Sequence, residues 1–147
     1  MKYLCFIIAF FGSQLVISQK DNPFAVEISV LRGNAMAHTE DMYHLINGHP
    51  DGLMLTYLKQ SDGSKEWHQA YNFPDFGGYF LYQNFKSQPL GENYAVGALY
   101  NFYFWKRRLQ LRIGQGVAMT TNPYDKVDNS KNRAFGTRFM GNTNFGF

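Results

Sequence analysis

Histidines are the residues of this 147-residue sequence best suited to acid–base or metal chemistry. The four are His38, His44, His49 and His68. His44 and His49 lie five residues apart across Gly48, a spacing that does not place two ligands on one helical face. The one cysteine, Cys5, lies near the start of the chain and adds no ligand. We therefore interpret the histidines as solvated loop residues, and we predict no metal site and no cofactor.

A serine hydroxyl needs a neighbouring base to act as a nucleophile. Ser29 and Ser64 lack a paired histidine in the sequence. The residues Asp125, Asp128 and Asn129 could suggest calcium, but the spacing and closing glutamate of a calcium loop are missing. This region is interpreted as an ordinary polar loop, and no catalytic residue follows from spacing.

Strands would have to position any such residues, and two runs between Asn93 and Ala118 are the clearest. One side of the first run carries Tyr94, Val96, Ala98, Tyr100, Phe102 and Phe104. In the second run Leu109, Leu111, Ile113 and Val117 face one way, and Gln110, Arg112, Gly114, Gly116 and Ala118 face the other. This period of two predicts a β-hairpin with an apolar face and a polar or small face.

The turn of this hairpin is Lys106-Arg107-Arg108, and Phe104 and Trp105 precede it. Each run has about the length of a transmembrane β-strand, and aromatic strand ends suit a bilayer interface. The basic turn could meet anionic head groups or simply be solvated. A soluble hairpin with one buried face has the same alternation, so the hairpin alone leaves both alternatives open.

The rest of the chain has the pattern of further strands separated by loops. Predicted strands cover 24–32, 53–60, 76–85, 93–105 and 109–118, and a sixth starts at Gly136. Thr39 can cap a short helix over 40–46 that Gly48 would stop. Both faces of the third strand are aromatic, so its orientation is open. The connections after strands one, three and five are predicted to lie outside the cell, and the basic turn to be periplasmic.

The bulk composition agrees with a strand protein. Hydrophobic residues make up 45% and aromatic residues 18%, yet the mean hydropathy is only −0.34. Alternation along barrel strands spreads apolar residues in this way. The net charge of +3 is too weak to argue for a nucleic-acid partner, and none is predicted.

Residues 1–18 have the pattern of a cleaved signal peptide. Lys2 supplies the positive charge, an apolar core follows, and Ser18 suits cleavage before Gln19. Residues 19–147 would then be the mature chain. Gly12-Ser13-Gln14 interrupts the apolar run, which is also short for a membrane-spanning helix.

Six segments, in their order and spacing, carry a family resemblance. They are His44-Leu45-Ile46-Asn47-Gly48-His49-Pro50, Glu66-Trp67-His68-Gln69, Tyr71-Asn72-Phe73-Pro74-Asp75-Phe76-Gly77, Tyr100-Asn101-Phe102-Tyr103-Phe104, Leu111-Arg112-Ile113-Gly114-Gln115-Gly116 and Thr121-Asn122-Pro123-Tyr124-Asp125. From about Phe24 to Gly141 the chain resembles the front half of Bacteroidetes acyloxyacyl hydrolases of the lipid A 3-O-deacylase family. The resemblance implies an all-β, antiparallel up-and-down barrel of eight strands in the outer membrane, with about six of them present. It also implies lipid A as the partner and hydrolysis of an ester-linked acyl chain by a serine assisted by a histidine and an acid.

One departure limits what the resemblance carries over. The family places its histidine and serine in a His-x-Ser motif on a late strand, and this sequence contains no His-x-Ser. No catalytic residue is assigned, and the 147-residue chain is expected not to hydrolyse lipid A by itself. A fragment of the enzyme, a non-catalytic barrel or gene remnant, and a soluble periplasmic β-domain remain as alternatives, and the oligomeric state is open.

Overall fold

The protein is built around one antiparallel sheet whose six strands follow the order of the sequence. The computed structural model describes residues 24–37 and 39–147. The strands are β1 (Phe24–Arg32), β2 (Asp51–Gln60), β3 (Asp75–Asn84), β4 (Glu92–Phe104), β5 (Leu109–Thr120) and β6 (Phe139–Gly146). Each strand pairs with the next one along the chain. The predicted all-β, up-and-down topology is confirmed.

The register puts alternate residues of all six strands on a common face. In the β4–β5 hairpin, Val96 lies opposite Val117 and Tyr100 lies opposite Ile113, which confirms the two faces predicted for this hairpin. Register also settles the third strand, because Phe80 lies between Leu55 and Val96 on the apolar face. Tyr79 and Leu81 therefore belong to the other face, where both are buried.

Three connections depart from the predicted elements. The short helix is a 3-10 helix over Glu40–Leu45, and the Thr39 side chain makes no capping hydrogen bond. The sixth strand begins at Phe139 instead of Gly136. The chain just before this point is bound within the connection: Asn132 Oδ1 accepts hydrogen bonds from the N–H groups of Ala134 and Phe135, and the Tyr124 N–H donates to the Phe135 carbonyl at 2.7 Å. A five-residue α-helix, Glu66–Ala70, is an element that the sequence pattern does not predict.

The connections divide between the two ends of the sheet. Those over 33–50, 85–91 and 121–138 share one end, called the loop end, and they contact one another there. Asn129 Nδ2 donates to the Pro89 carbonyl at 2.9 Å, and Arg133 pairs with Asp41 at 3.1 Å. The connections over 61–74 and 105–108 share the opposite end, called the turn end.

The predicted leader, residues 1–18, its cleavage site before Gln19 and His38 lie outside the described residues. Neither helix within residues 24–37 and 39–147 has the length and apolar character needed to cross a membrane.

Candidate functional site on the inner face of the sheet

The two faces of the sheet differ sharply in burial. Buried apolar side chains, among them Met54, Leu81, Leu99 and Ala118, all lie on one side, here called the inner face. The other side, the outer face, exposes large apolar residues, with Val30 82% and Phe145 68% exposed. The inner face is therefore the side where the fold can hold polar groups in fixed positions.

A tyrosine lies across the inner face over two glycines. Tyr79, Gly97, Gly116 and Asn142 are successive partners in one row of the register. Tyr79 Oη donates to Asn142 Oδ1 at 2.7 Å, three strands away. A Cβ at Gly97 would lie 2.7 Å from Tyr79 Cε1, and one at Gly116 would lie 2.8 Å from Tyr79 Oη. The glycines are thus needed for the tyrosine ring to lie flat.

An ion pair crosses the same face over a longer distance. Arg112 on β5 donates to both carboxylate oxygens of Glu27 on β1, at 3.3 and 2.6 Å. Adjacent strands lie about 4.7–4.9 Å apart, so β1 and β5 would be separated by about 19 Å in a flat sheet. Contact between these two side chains therefore requires a strongly curled sheet with the inner face on its concave side.

Polar groups beside this pair complete the cluster. Arg112 Nε donates to Asn101 Oδ1 at 3.0 Å. Asn101 Nδ2 and Thr56 Oγ1 are buried, and neither has a hydrogen-bond partner among the described residues. Both residues have no exposed surface. Buried polar groups normally find partners, so this part of the concave face has hydrogen-bonding capacity left unused.

The described histidines lie on connections and not on strands. His44 Nε2 lies 2.9 Å from the Lys131 carbonyl oxygen, and His49 Nδ1 lies 2.6 Å from Asn34 Oδ1. His68, 5% exposed, accepts a hydrogen bond at Nδ1 from the N–H of Gly63 at 3.1 Å. No histidine within 24–37 and 39–147 is hydrogen-bonded to a serine hydroxyl.

Ser64, one of the serines considered from the sequence, has a structural role at the turn end. Its hydroxyl and its backbone N–H both donate to Asp62 Oδ1, at 2.6 and 3.0 Å. These bonds favour the ionised carboxylate and lower the pKa of Asp62 to about 2. Ser64 therefore stabilises the turn at Asp62 in the connection 61–74.

The aspartate-rich loop likewise folds on itself. Asp125 Oδ1 accepts hydrogen bonds from the N–H groups of Asp128 and Val127, which lower the pKa of Asp125. The Asn129 amide donates to the carbonyl oxygens of Pro89, Asn122 and Pro123. The Asp125 carboxylate therefore stabilises a tight turn, and the Asn129 amide connects this turn to the neighbouring loop at Pro89.

The sequence pattern predicts polar faces for Glu27 and Arg112 but does not pair them. They are separated by 85 positions, and only the curl of the sheet makes them neighbours. The small residues Gly114 and Gly116 beside Arg112 are the available signal, because they predict close packing on the inner face. The glycines indicate that side chains pack closely beside Arg112, but they do not identify Glu27 as its partner.

Comparison with known proteins supplies the family. The family described as Lipid A 3-O-deacylase (PagL) matches residues 51–147, which run from the first residue of β2 past the end of β6. Its members are outer-membrane β-barrel proteins that act on lipid A. No curated protein and no solved structure matches the chain. The family resemblance carried by the sequence segments is thus confirmed, and this chain belongs to the lipid A 3-O-deacylase family.

Proposed function

We propose that this protein is an outer-membrane β-barrel that hydrolyses an ester-linked acyl chain of lipid A, with the six described strands as its scaffold. The observation that carries the proposal is the family match over β2 to β6, the strands that form most of both faces. Deacylation of lipid A in the membrane needs a protein with an apolar outer face in contact with lipid and an inner face that can hold polar groups. The two faces of this sheet meet both needs.

The outer face supports the membrane location. It exposes Val26, Ile28 and Val30 on β1, Leu53, Leu55 and Tyr57 on β2, Phe80 on β3, Val96 and Phe104 on β4, Leu109, Val117 and Met119 on β5, and Phe139 and Phe145 on β6. A contiguous apolar surface on this scale would favour aggregation in water and is stable against hydrocarbon. This observation weighs against the soluble periplasmic domain.

Pairing of the sheet edges is part of the proposal. Among the described residues β1 and β6 each have one paired neighbour. A bilayer cannot satisfy unpaired backbone groups, so both edges must be paired when the protein is in the membrane. We propose closure into an eight-stranded barrel, with pairing between copies of the chain as the alternative.

We further propose that the catalytic histidine and serine are not among these 147 residues, because the sequence has no His-x-Ser. The inner-face cluster of Arg112, Glu27 and Asn101 would then fix the curvature of the wall around the site without taking part in the chemistry. A second candidate function, a non-catalytic barrel of the same family, is favoured by the same missing motif.

The test uses lipopolysaccharide and mass spectrometry of its lipid A. Protein expressed from the complete reading frame and folded into lipid vesicles is expected to release one ester-linked acyl chain. The 147-residue chain alone is expected to leave lipid A intact, since acyl transfer needs a nucleophile, a base about 3 Å away and oxyanion donors.

Three outcomes separate the candidates. Loss of an acyl chain only with the complete reading frame supports the enzyme. Insertion into vesicles without loss from either protein supports the non-catalytic barrel. Turnover by the 147-residue chain itself would contradict our assignment of the catalytic pair to residues outside it.

A further inference from the structure

The tip of the β4–β5 hairpin combines an exposed tryptophan with cations at the turn end of the outer face. The tip is defined here as Trp105, Lys106, Arg107 and Arg108, and it is closed by the Arg108 N–H, which donates to the Phe104 carbonyl oxygen at 3.1 Å. Trp105 is 76% exposed, and the flanking outer-face residues Phe104 and Leu109 are 46% and 38% exposed. The apolar outer face therefore ends at an aromatic side chain followed at once by charge.

Only part of the tip's charge is used inside the protein. Arg107 pairs with Asp75 at 3.2 Å, donates to the Phe73 carbonyl at 2.6 Å and lies 3.6 Å from the centre of the Tyr103 ring. Lys106 and Arg108 are exposed, and neither forms an ion pair within the described part of the chain. The structure thus separates one structural cation from two that are available for a ligand.

The backbone of the tip has an unusual conformation. Trp105, Lys106 and Arg107 have φ values of +49°, +56° and +64°, the left-handed region that residues other than glycine rarely adopt. The favoured turns of β-hairpins use this region, but glycine, asparagine or aspartate usually occupies it, so Trp-Lys-Arg is an uncommon sequence there. Such conformations cluster at functional sites. The bonds of Arg107 to the neighbouring connection hold this conformation, which leaves Trp105, Lys106 and Arg108 exposed.

We propose that the hairpin tip is a binding site for the anionic head groups of glycerophospholipids, with Trp105 at the lipid–water boundary and Lys106 and Arg108 on the phosphates. The inference rests on the membrane location in the proposed function. Tryptophan favours the bilayer interface, and each lysine or arginine near an anionic surface is attracted to it. The tip lies at the end opposite the two longest connections, 33–50 and 121–138, although it shares that end with the 14-residue connection 61–74. Short turns of outer-membrane barrels face the periplasm. This places the tip against the leaflet opposite the one that carries lipid A, so the proposed ligand is a glycerophospholipid.

The experiment measures which lipid lies beside Trp105. The sequence has two tryptophans, so Trp67→Phe leaves Trp105 as the only one. The full chain with this substitution is folded into phosphatidylcholine vesicles that contain phosphatidylglycerol. Brominated acyl chains are placed on one lipid or the other, and the quenching of Trp105 gives the relative affinity of its surroundings for the two. If Trp67→Phe fails to fold, the same ratio is obtained from the native chain by subtracting the signal of Trp105→Phe.

We expect phosphatidylglycerol to be preferred roughly fivefold or more, the factor expected from one cation near an anionic surface. Lys106→Gln combined with Arg108→Gln should bring the ratio close to one, and high salt should reduce it. The matched control is Lys126→Gln with Lys131→Gln, which removes the same charge at the loop end and should leave the ratio unchanged.

Other results would overturn the inference or the proposed function separately. Equal quenching by both lipids in the native chain would overturn the tip site while keeping the membrane location. Loss of the preference when lipid A is added would show that its phosphates are the ligand and would overturn the assignment to glycerophospholipid. Absence of quenching by either lipid would also overturn the tip site, whereas failure of the protein to bind the vesicles at all would contradict the membrane location.

Discussion

The inner and outer faces of the sheet are made by the same strands but are stabilised in different ways. On the inner face, side chains from distant strands meet, as in the contact of Arg112 with Glu27 and of Tyr79 with Asn142. On the outer face, apolar side chains such as Val30 remain exposed. Side-chain hydrogen bonds between strands on that face join adjacent strands, as Thr143 does with Gln115 and Tyr82 with Glu92. Contacts on the inner face therefore set the curvature of the sheet. The stability of the outer face depends on whether water or lipid surrounds its apolar side chains.

The effect of a substitution on stability should therefore depend more on the face that carries it than on the strand. On the outer face a charge is costly because hydrocarbon would surround it, and the cost varies with depth. On the inner face a charge is tolerated, whereas added volume or a lost partner is costly. The cost of charge and the cost of volume can be separated by comparing an inner with an outer variant. The cost of a lost partner is measured by removing one inner contact.

The largest effect is expected for a charge on the outer face. Ile113 lies opposite Tyr100 and Phe145 on that face, near the middle of β5. Ile113→Arg should destabilise the protein in vesicles by about 2–4 kcal/mol, the cost of arginine near the bilayer midplane. Gln110→Arg, on the inner face of the same strand, should cost much less. Urea unfolding of both variants measures the difference, and equal losses would show that β5 has no lipid face.

Added volume should have the opposite dependence on face. A Cβ at Gly116 would lie 2.1 Å from the Val96 carbonyl oxygen, whereas a Cβ at Gly141 on the outer face of β6 meets nothing within 4 Å. Gly116→Ala should therefore cost about 1–3 kcal/mol from overpacking, and Gly141→Ala should cost little. The sequence pattern puts Gly116 on the polar or small face of the hairpin, and the structure adds this clash. Equal stability of the two variants would argue against close packing over Gly116.

The ion pair across the concave face should contribute less, because the Glu27 side chain is 42% exposed and partly screened. Glu27→Gln leaves Arg112 without its carboxylate and should cost about 1–2 kcal/mol. A double-mutant cycle with Arg112→Gln isolates the coupling between the two. A coupling energy near zero would mean that the contact does not hold β1 against β5.

The smallest effect concerns two tyrosines on opposite faces. Tyr79→Phe removes the hydrogen bond to Asn142 and should cost about 0.5–1.5 kcal/mol. Tyr57→Phe is the control, because Tyr57 is exposed on the outer face and its hydroxyl makes no hydrogen bond within the described residues. Thermal unfolding in the same vesicles would distinguish them, and a cost for Tyr57→Phe as large as that for Tyr79→Phe would contradict the assignment of faces.

Elements governed by local alternation could be predicted from the sequence. The predicted bounds of β1, Phe24–Arg32, are those observed, and the predicted faces of the β4–β5 hairpin are confirmed. In these strands apolar and polar residues alternate with a period of two, so the side-chain pattern alone determines which residues share a face. The third strand has aromatic residues on both sides, and its orientation required the register with its neighbours.

Contacts governed by the curl of the sheet could not be predicted. The pairing of Arg112 with Glu27 and the path of Tyr79 over Gly97 and Gly116 depend on the relative positions of strands distant in sequence. The predicted start of β6 is wrong for a related reason, because the preceding loop makes non-local contacts, such as the Tyr124 N–H with the Phe135 carbonyl, that the side-chain pattern does not reveal. Since the sequence contains no His-x-Ser, the candidate site is a scaffold without assigned catalytic residues.

Spin labelling along β5 tests most directly whether the two faces meet different surroundings. Cys5 is the only cysteine in the chain and falls within the predicted leader, so single cysteines at positions 109–118 can be labelled in the vesicle-bound protein after Cys5→Ser. Collision rates with oxygen, which concentrates in hydrocarbon, and with a water-soluble nickel chelate are measured at each position. We predict that oxygen access varies with a period of two along β5, highest at Leu111, Ile113 and Val117 and lower at the intervening inner positions. Free access of the chelate to Leu111, Ile113 and Val117, or equal oxygen access on both faces, would contradict it.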